Sequence, residues 1–454
     1  MNKLTYETNK VKLYAGSNLE ILPTLPDNSV DSIVTDPPYE LGFMNKTWDS
    51  TGIAYSTELW QECLRVLKPG GHLLAFGGTR TWHRLAVAIE DAGFEIRDNI
   101  AWLYGSGFPK SHNISKAIDK AAGAEREVVG TKHSGISAGS NKRNLEQGKR
   151  NKIYDQSTLV DVTAPATPEA QQWDGWGTAL KPAHEPIVVA RKPLIGTVAE
   201  NVLQHGVGGL NIDASRIGTE TIVNGYGGIP NGANNLVNSD KERNRDGETI
   251  VQGRWPANII LDEYTAELLD EQSGILTSGA MNSVTKGHDE ETFNTYGKQY
   301  VRRVVNQASS GGASRFFYVA KANKRDRNEG LHELPEVLGK EMTGRAEGSA
   351  GLLRVREDGS IGENPYAGKS GKAKNFHPTV KPTALMQYLI RLVTPDNGIV
   401  LDPFTGSGST GKAAILENKR FIGIELTAEY LPIIEGRLKH AEQTLTLKED
   451  DLFE

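Results

Sequence analysis

Two short segments of this chain carry residue types in an order that can do chemistry. The first is Asp36-Pro37-Pro38-Tyr39, directly after the apolar run Asp31 to Thr35. Pro37 pushes Asp36 into an extended conformation, and both prolines hold φ near about −65° and donate no hydrogen bond. The corner is rigid and offers only acceptors. A nucleobase exocyclic amine has two N–H donors and a lone pair delocalised into the ring, which makes it a poor nucleophile. The Asp36 carboxylate and the Pro37 carbonyl can hold both N–H groups and leave the lone pair open to an electrophile. Tyr39 offers a stacking face, worth about 1–3 kcal/mol per base in single-strand binders. Taken alone, the tetrapeptide also reads as a Pro-Pro turn closed by a surface aromatic.

The second segment runs from Leu401 through Asp402-Pro403-Phe404-Thr405-Gly406-Ser407-Gly408-Ser409-Thr410-Gly411-Lys412 to Ala413, after a strand-like run and into a helical one. Its glycines let a ligand approach the backbone, and a helix N-terminus presents free N–H donors. Gly406, Gly408 and Gly411 fit a dinucleotide fingerprint, with Glu425 19 residues on. Gly406 to Lys412 nearly fit a phosphate-binding loop, but Ala413 stands where a hydroxyl for Mg²⁺ belongs. Asp402 argues against both, because a carboxylate just before the glycines opposes a pyrophosphate and attracts an ammonium or sulfonium. S-adenosylmethionine carries both cations. In that reading Asp402 faces its methionine end, Gly406 and Gly408 give it room, and Glu425 accepts from the ribose hydroxyls. A ligand-free Gly-rich turn is the structural alternative.

Both segments sit between elements of an α/β alternation. Val11 to Tyr14 and Asp31 to Thr35 read as buried strands. Ser56 to Leu67 is a helix with Leu59, Trp60, Cys63, Leu64 and Leu67 on one face, followed by the strand His72 to Phe76. Thr81 to Ala92 is a second helix and Glu95 to Tyr104 a third strand-like run. The pattern dissolves from about 105 to 181 and returns at Glu185 to Ala190, so this stretch reads as an insertion between two strands of a parallel sheet. Residues 193 to 375 are irregular and rich in Gly and Asn. The last eighty or so alternate again: helix Ala384 to Val393, strand Gly398 to Leu401, helix Gly411 to Glu417, strand Phe421 to Glu425 and helix Ala428 to His440.

Composition removes whole classes. With 454 residues, 37% hydrophobic and 24% charged, the chain has the make-up of a folded globular protein. Its 49 glycines fit many turns and loops. One cysteine, Cys63, excludes an internal disulfide and a thiolate metal centre, and neither it nor the ten histidines are spaced as metal ligands, so no metal is expected. No apolar stretch approaches a membrane span and the N-terminus lacks a signal-peptide core, which points to a cytoplasmic protein with no membrane partner. The net charge of −6, from 51 basic and 57 acidic residues, leaves nucleic acid open, because what counts is where the cations sit. One basic tract holds Lys132, Lys142, Arg143, Lys149, Arg150 and Lys152. Another holds Arg315, Lys321, Lys324, Arg325 and Arg327.

Together these motifs resemble the S-adenosylmethionine-dependent DNA amino-methyltransferases, which modify adenine N6 or cytosine N4. Asp36 to Tyr39 looks like their catalytic motif, and Asp402 to Ser409 looks like their cofactor motif. His377-Pro378-Thr379-Val380-Lys381-Pro382 is similar to the segment before the cofactor strand in the circularly permuted β-group, whose motif order this chain follows. Trp173 to Lys192, Val207 to Ile217 and Arg254 to Leu261 look like phage and bacterial members. The resemblance implies a Rossmann-like α/β methyltransferase sheet, permuted, with an inserted loop-rich target-recognition domain. It implies residues 1–104 as the catalytic half, 105–192 as a basic insertion with a returning strand, 193–375 as the target-recognition region, 376–445 as the cofactor half and 446–454 as an acidic tail. It also implies Asp36, Pro37, Pro38 and Tyr39 as catalytic. Cofactor contacts would come from Asp402, Pro403, Phe404, Gly406, Ser407, Gly408, Glu425, Thr379 and Lys381. Ser17 stands where many members carry an acid, which leaves Asn18 to face the cofactor's adenine.

The family uses Asp-Pro-Pro-Tyr mostly for adenine and Ser-Pro-Pro-Tyr mostly for cytosine N4. Site-specific methylation of N6 on a flipped-out adenine in double-stranded DNA is therefore expected, with cytosine N4 the alternative. Flipping costs a few kcal/mol, and Phe43 and Trp48 either wedge the vacated space or pack on the core. Lys142, Arg143, Lys149, Arg150, Lys324 and Arg325 become candidate phosphate contacts. A P-loop ATPase and a DNA-binding protein without catalysis are the rivals. A restriction partner, and a monomer or a homodimer, are both compatible with the sequence.

Overall fold

Val30-Asp31-Ser32-Ile33-Val34-Thr35 is buried at every position, as a strand covered on both faces must be. Alternate residues serve opposite sides. Ile33 packs with Leu73, Leu59 and Trp60 in one apolar cluster, and Val34 packs with Leu74, Leu389 and Ile434 in the other. The computed structural model that shows this describes residues 3–42, 47–105, 107, 111–133, 159–224, 249–278, 281–284, 303–306, 309–321, 326–337, 353–355, 361–363 and 374–450.

Among the described residues ten strands share one sheet: β1 (Lys3–Glu7), β2 (Val11–Ala15), β3 (Val30–Thr35), β4 (Leu67–Phe76), β5 (Glu95–Leu103), β6 (His184–Arg191), β7 (Ile259–Asp262), β8 (Tyr318–Ala320), β9 (Ile399–Asp402) and β10 (Arg420–Glu425). Their spatial order is β1-β2-β10-β9-β3-β4-β6-β5-β7-β8. Strands β2, β10, β9, β3 and β4 are mutually parallel, so their carboxyl ends share one edge of the sheet. That edge is where open α/β sheets bind ligands. Strand β6 runs antiparallel to both β4 and β5, which makes the sheet mixed rather than parallel. Its apolar run Pro186 to Ala190 is as buried as a parallel strand's, so direction leaves no mark in the residue pattern.

Helices cover both faces. Thr57–Val66 is capped by Ser56, whose hydroxyl accepts from the Leu59 N–H, and buries Leu59, Trp60, Cys63 and Val66. Trp82–Asp91 lies on the same side, with Leu85 and Ile89 in that cluster. Thr383–Val393, Ser409–Leu416 and Leu431–Asp450 supply the opposite cluster. The last helix continues to Asp450, so the acidic tail begins as helix.

The chain divides into two compact units, residues 1–105 with 184–454, and residues 106–183. In the second, Val128–His133 pairs antiparallel with Leu159–Thr163. Buried Asp119 accepts from the Ala166 and Thr167 N–H groups at 3.0 and 3.1 Å and pairs with Arg126. Among the described residues no helix is long and apolar enough to cross a membrane, and no cluster of three or more His, Cys, Asp or Glu is arranged to hold a metal.

Candidate active site

Strand β3 ends at Thr35 and hands the chain to Asp36, while its neighbour β9 ends at Asp402, so the two motifs emerge side by side. One hydrogen bond joins them: Thr35 Oγ1 donates to Asp402 Oδ1 at 2.7 Å. Asp402 is 1% exposed, and its Oδ1 also accepts the Phe404 N–H at 3.0 Å. Burial pushes its carboxyl up to about 6, against the lowering effect of hydrogen bonds from Thr410, Thr35 and Phe404. At the end of β10, Glu425 accepts from the Gly406 and Thr427 N–H groups, each at 2.7 Å. Burial raises it to about 7. The largest causes of both shifts are burial, hydrogen bonds from neutral donors and the charge of a neighbouring acid.

The glycine loop is held open by its backbone. Gly406 and Gly408 have φ of +54° and +76°, in the left-handed region that side chains avoid. A Cβ on Gly408 would also sit 3.2 Å from Ile434, and one on Gly406 would sit 3.1 Å from His377 Nε2. Asn18 Nδ2 donates to the Pro403 carbonyl at 3.4 Å, and the Phe404 ring lies 6.5 Å from that of Trp60. Behind the loop, fully buried Arg437 donates from Nη1 to the Ser407 carbonyl at 2.6 Å, to Ser407 Oγ at 3.1 Å and to Ser409 Oγ at 3.0 Å. Burial lowers its guanidinium to about 10. Lys412, where a P-loop lysine would reach for phosphates, instead pairs with Asp326 at 2.7 Å and Glu329 at 2.8 Å. Asp326 also accepts the Thr383 N–H at 2.7 Å.

The Asp36 corner is organised around one ammonium. Lys381 Nζ lies 2.6 Å from Asp36 Oδ2, 3.2 Å from Glu185 Oε2 and 3.2 Å from the Tyr39 hydroxyl. Tyr39 donates that hydroxyl to Glu185 Oε2 at 2.7 Å, and Thr81 Oγ1 donates to the Tyr39 carbonyl at 2.9 Å. The second Asp36 oxygen, Oδ1, is buried and has no hydrogen-bond partner among the described residues. Burial alone would lower Lys381, but the charges of Asp36 and Glu185 outweigh it and raise its pKa. Tyr39 is held well above its ordinary value by burial, reinforced by the same two acids. Pro37 is buried, and Pro38 half-buried.

The neighbouring residues are packed around this corner. His377 joins Nδ1 to the Thr379 carbonyl, and its ring lies 6.3 Å from Trp48, nearly parallel, and 4.6 Å from Tyr430. Burial lowers His377 to about 4, so the ring is neutral at neutral pH. After Tyr39 the chain turns around Asp49, which accepts from the Glu40 and Leu41 N–H groups. Phe43, Lys142, Arg143, Lys149, Arg150, Lys324 and Arg325 lie outside the described residues. Asp36 and Tyr39 thus share one cluster with Lys381, while Asn18, Asp402, Gly406, Ser407, Gly408 and Glu425 form or touch the adjoining loop. Glu185, Arg437, Asp326 and Thr35 escaped the sequence reading. Arg437 had left a signal, being a charge among the buried positions Ile433, Ile434, Leu438 and Ala441. Glu185 is an acid at the mouth of an apolar strand and carries no such mark.

The sequence profile of the N6 and N4 methyltransferase family, described as DNA methylase, matches residues 30–436. Type II methyltransferase M2.LlaDCHI of Lactococcus lactis subsp. cremoris is 38% identical over 91 residues, which are 19% of this chain and 34% of that protein. DNA adenine methyltransferase YhdJ of Escherichia coli (strain K12) is 49% identical over 62 residues, which are 14% of this chain and 21% of that one. The chain thus matches about a third or less of the length of these curated relatives. The solved PvuII DNA methyltransferase, titled cytosine-N4-specific, aligns over 98% of this chain and 93% of its own at 13% identity, with a TM-score of 0.38.

Proposed function

The chain belongs to the DNA methylase family, whose profile spans residues 30–436, and from that premise we propose that it transfers a methyl group from S-adenosylmethionine to N6 of an adenine in DNA. The observation that carries the reading is the hydrogen bond from Thr35 to Asp402. It ties the residue before Asp36 to Asp402, where the glycine loop begins, which supports reading the two segments as one site.

The cofactor fits the residues present. Asp402 and Glu425 are buried acids raised toward neutrality, chiefly by burial and against hydrogen bonds from neutral donors, and a ligand bearing a sulfonium and an ammonium suits such a pair. Gly406 and Gly408 keep the loop free of side chains where such a ligand approaches. When bound, S-adenosylmethionine supplies a methyl group activated by positively charged sulfur.

The chain's own residues would do the rest. Asp36 Oδ1 and the Pro37 carbonyl accept the two N–H groups of the amine, which holds its lone pair in line for attack. As the N–C bond formed and the methyl–sulfur bond broke, leaving a neutral thioether, positive charge would grow on the nitrogen, where the Asp36 carboxylate would stabilise it until the surplus N–H proton passed to solvent. Tyr39 stacks on the flipped base. Catalytic motif, middle region and glycine loop follow one another in the order of the permuted group, and residues 193–375 would read the target. Lys142, Arg143, Lys149, Arg150, Lys324 and Arg325 would supply phosphate contacts, so DNA affinity should fall with salt.

The direct test is to incubate the purified chain with S-adenosylmethionine carrying a labelled methyl group and unmethylated plasmid DNA, then identify the labelled nucleoside. N6-methyladenine is the expected product. Label on N4-methylcytosine would keep the mechanism and reverse the base, and unlabelled DNA would overturn the proposal.

A further inference from the structure

Of the charged groups around Asp36, two come from outside both the Asp36 to Tyr39 segment and the glycine loop. Lys381 contributes its ammonium from the segment before the Thr383–Val393 helix, and Glu185 its carboxylate from β6. Each meets more than one partner. Lys381 contacts Asp36 Oδ2, Glu185 Oε2 and the Tyr39 hydroxyl, with the rings of Phe76 and Tyr39 4.8 and 5.3 Å from its nitrogen. Glu185 accepts from both Lys381 and Tyr39.

We propose that Lys381 and Glu185 are positioning residues for methyl transfer: Lys381 occupies Oδ2 of Asp36 so that Oδ1 is the free acceptor, and Glu185 fixes both the ammonium and the Tyr39 ring. This rests on the methyltransferase reading above and adds to it a division of labour between the two oxygens of Asp36. A carboxylate free to rotate presents either oxygen, whereas one held at 2.6 Å through Oδ2 presents a single acceptor in a single direction. The buried, partnerless Oδ1 is what such an arrangement leaves. Tyr39 gains likewise. A ring tethered at its hydroxyl by Glu185 and at its carbonyl by Thr81 is set before a base arrives. The charge count fits as well. Two carboxylates around one ammonium leave the corner one negative charge in excess, the sign that a developing cation on the amine needs.

The sequence resemblance would have Lys381 touch the cofactor, and the two roles have different signatures. The test measures kcat for methyl transfer and, separately, the Kd for S-adenosylmethionine by titration, in wild type, Lys381→Met, Lys381→Arg, Glu185→Gln and Tyr39→Phe. Lys381→Met is expected to lower kcat about 10–100-fold, the usual effect of removing a group that orients a reacting ligand, with the cofactor Kd within about twofold. Lys381→Arg should recover part of the loss, because it keeps the charge and the donors. Glu185→Gln and Tyr39→Phe share one hydrogen bond besides the contact each makes with Lys381, so the double variant should lose less than the product of the single losses.

A weakened cofactor Kd in Lys381→Met with kcat retained would return Lys381 to the cofactor and overturn the proposal. So would wild-type kcat in Lys381→Met, or multiplying losses in the Glu185/Tyr39 cycle. If Lys381→Met unfolds, the Glu185 and Tyr39 variants decide on the same criteria. A wild-type chain that methylates no DNA sinks the underlying reading instead, before any variant is compared.

Discussion

The glycine loop and the Asp36 corner lie one hydrogen bond apart, yet they handle buried charge in opposite ways. Among the described residues Asp402 and Glu425 receive neutral N–H and O–H donors, and burial raises both carboxyls, to about 6 and about 7. Asp36 and Glu185 instead share the ammonium of Lys381. The first region leaves a negative potential for a ligand to satisfy. The second compensates half of its own charge and keeps one oxygen in reserve. A cation-binding region should therefore answer to pH, and a pre-set acceptor should answer to the loss of single atoms.

The largest separation of the two should come from Asp36→Ala. Removing one preorganised transition-state contact should slow methyl transfer on the order of 10²–10³-fold, while the cofactor Kd stays within about twofold by titration. Equal losses in both would break the comparison. Arg437→Leu should do the reverse. Its guanidinium holds Ser407 and Ser409 from behind, so denaturant unfolding should show a loss of about 2–3 kcal/mol, the cost of losing hydrogen bonds to a buried charged group, and cofactor binding should weaken with it. Gly408→Val should cost about 1–2 kcal/mol for a side chain in left-handed backbone, with contact at Ile434 added. About a tenfold weaker cofactor Kd would sharpen the assignment of that loop, and an unchanged Kd would count against it.

The smallest expected effect is with pH. An acid raised to about 6 or 7 is protonated below that point and then attracts no sulfonium or ammonium, so cofactor affinity should rise severalfold between about pH 5.5 and 8. In the ligand-free chain the same two groups bind more protons folded than unfolded. Their contribution to stability is therefore present in acid and lost as pH rises through about 7. The cofactor-induced rise in melting temperature should accordingly grow with pH, and a shift that is flat across this range would contradict the charge reading of the loop. His377, lowered to about 4, stays neutral throughout and adds no opposing trend.

The parts legible in the sequence were those with a local cause. Ser56 to Leu67 reads as helix because its apolar residues repeat at helical spacing, and the structure shows Thr57–Val66 with Ser56 as its cap. The corner and the loop were legible because proline and glycine restrict backbone at the residue itself, as φ of +54° at Gly406 and +76° at Gly408 show. Contacts over long separations were not. Lys381 and Asp36 are 345 residues apart, and Tyr39 and Glu185 are 146 apart. No periodicity links them: the sheet order β3-β4-β6 brings Glu185 near the chain leaving β3, and Lys381 arrives from the segment before the Thr383–Val393 helix. The direction of β6 was hidden for a related reason, since a doubly covered strand is apolar throughout whichever way it runs.

The measurement that tests the central claim most directly is nucleoside mass spectrometry on DNA from a methylation-deficient host expressing the wild-type chain or its Asp36→Ala variant. N6-methyladenine with wild type and none above background with the variant is the expected result. The same methylated nucleoside at equal levels from both, or none from either, would contradict the assignment of Asp36 as the group that holds the reacting amine.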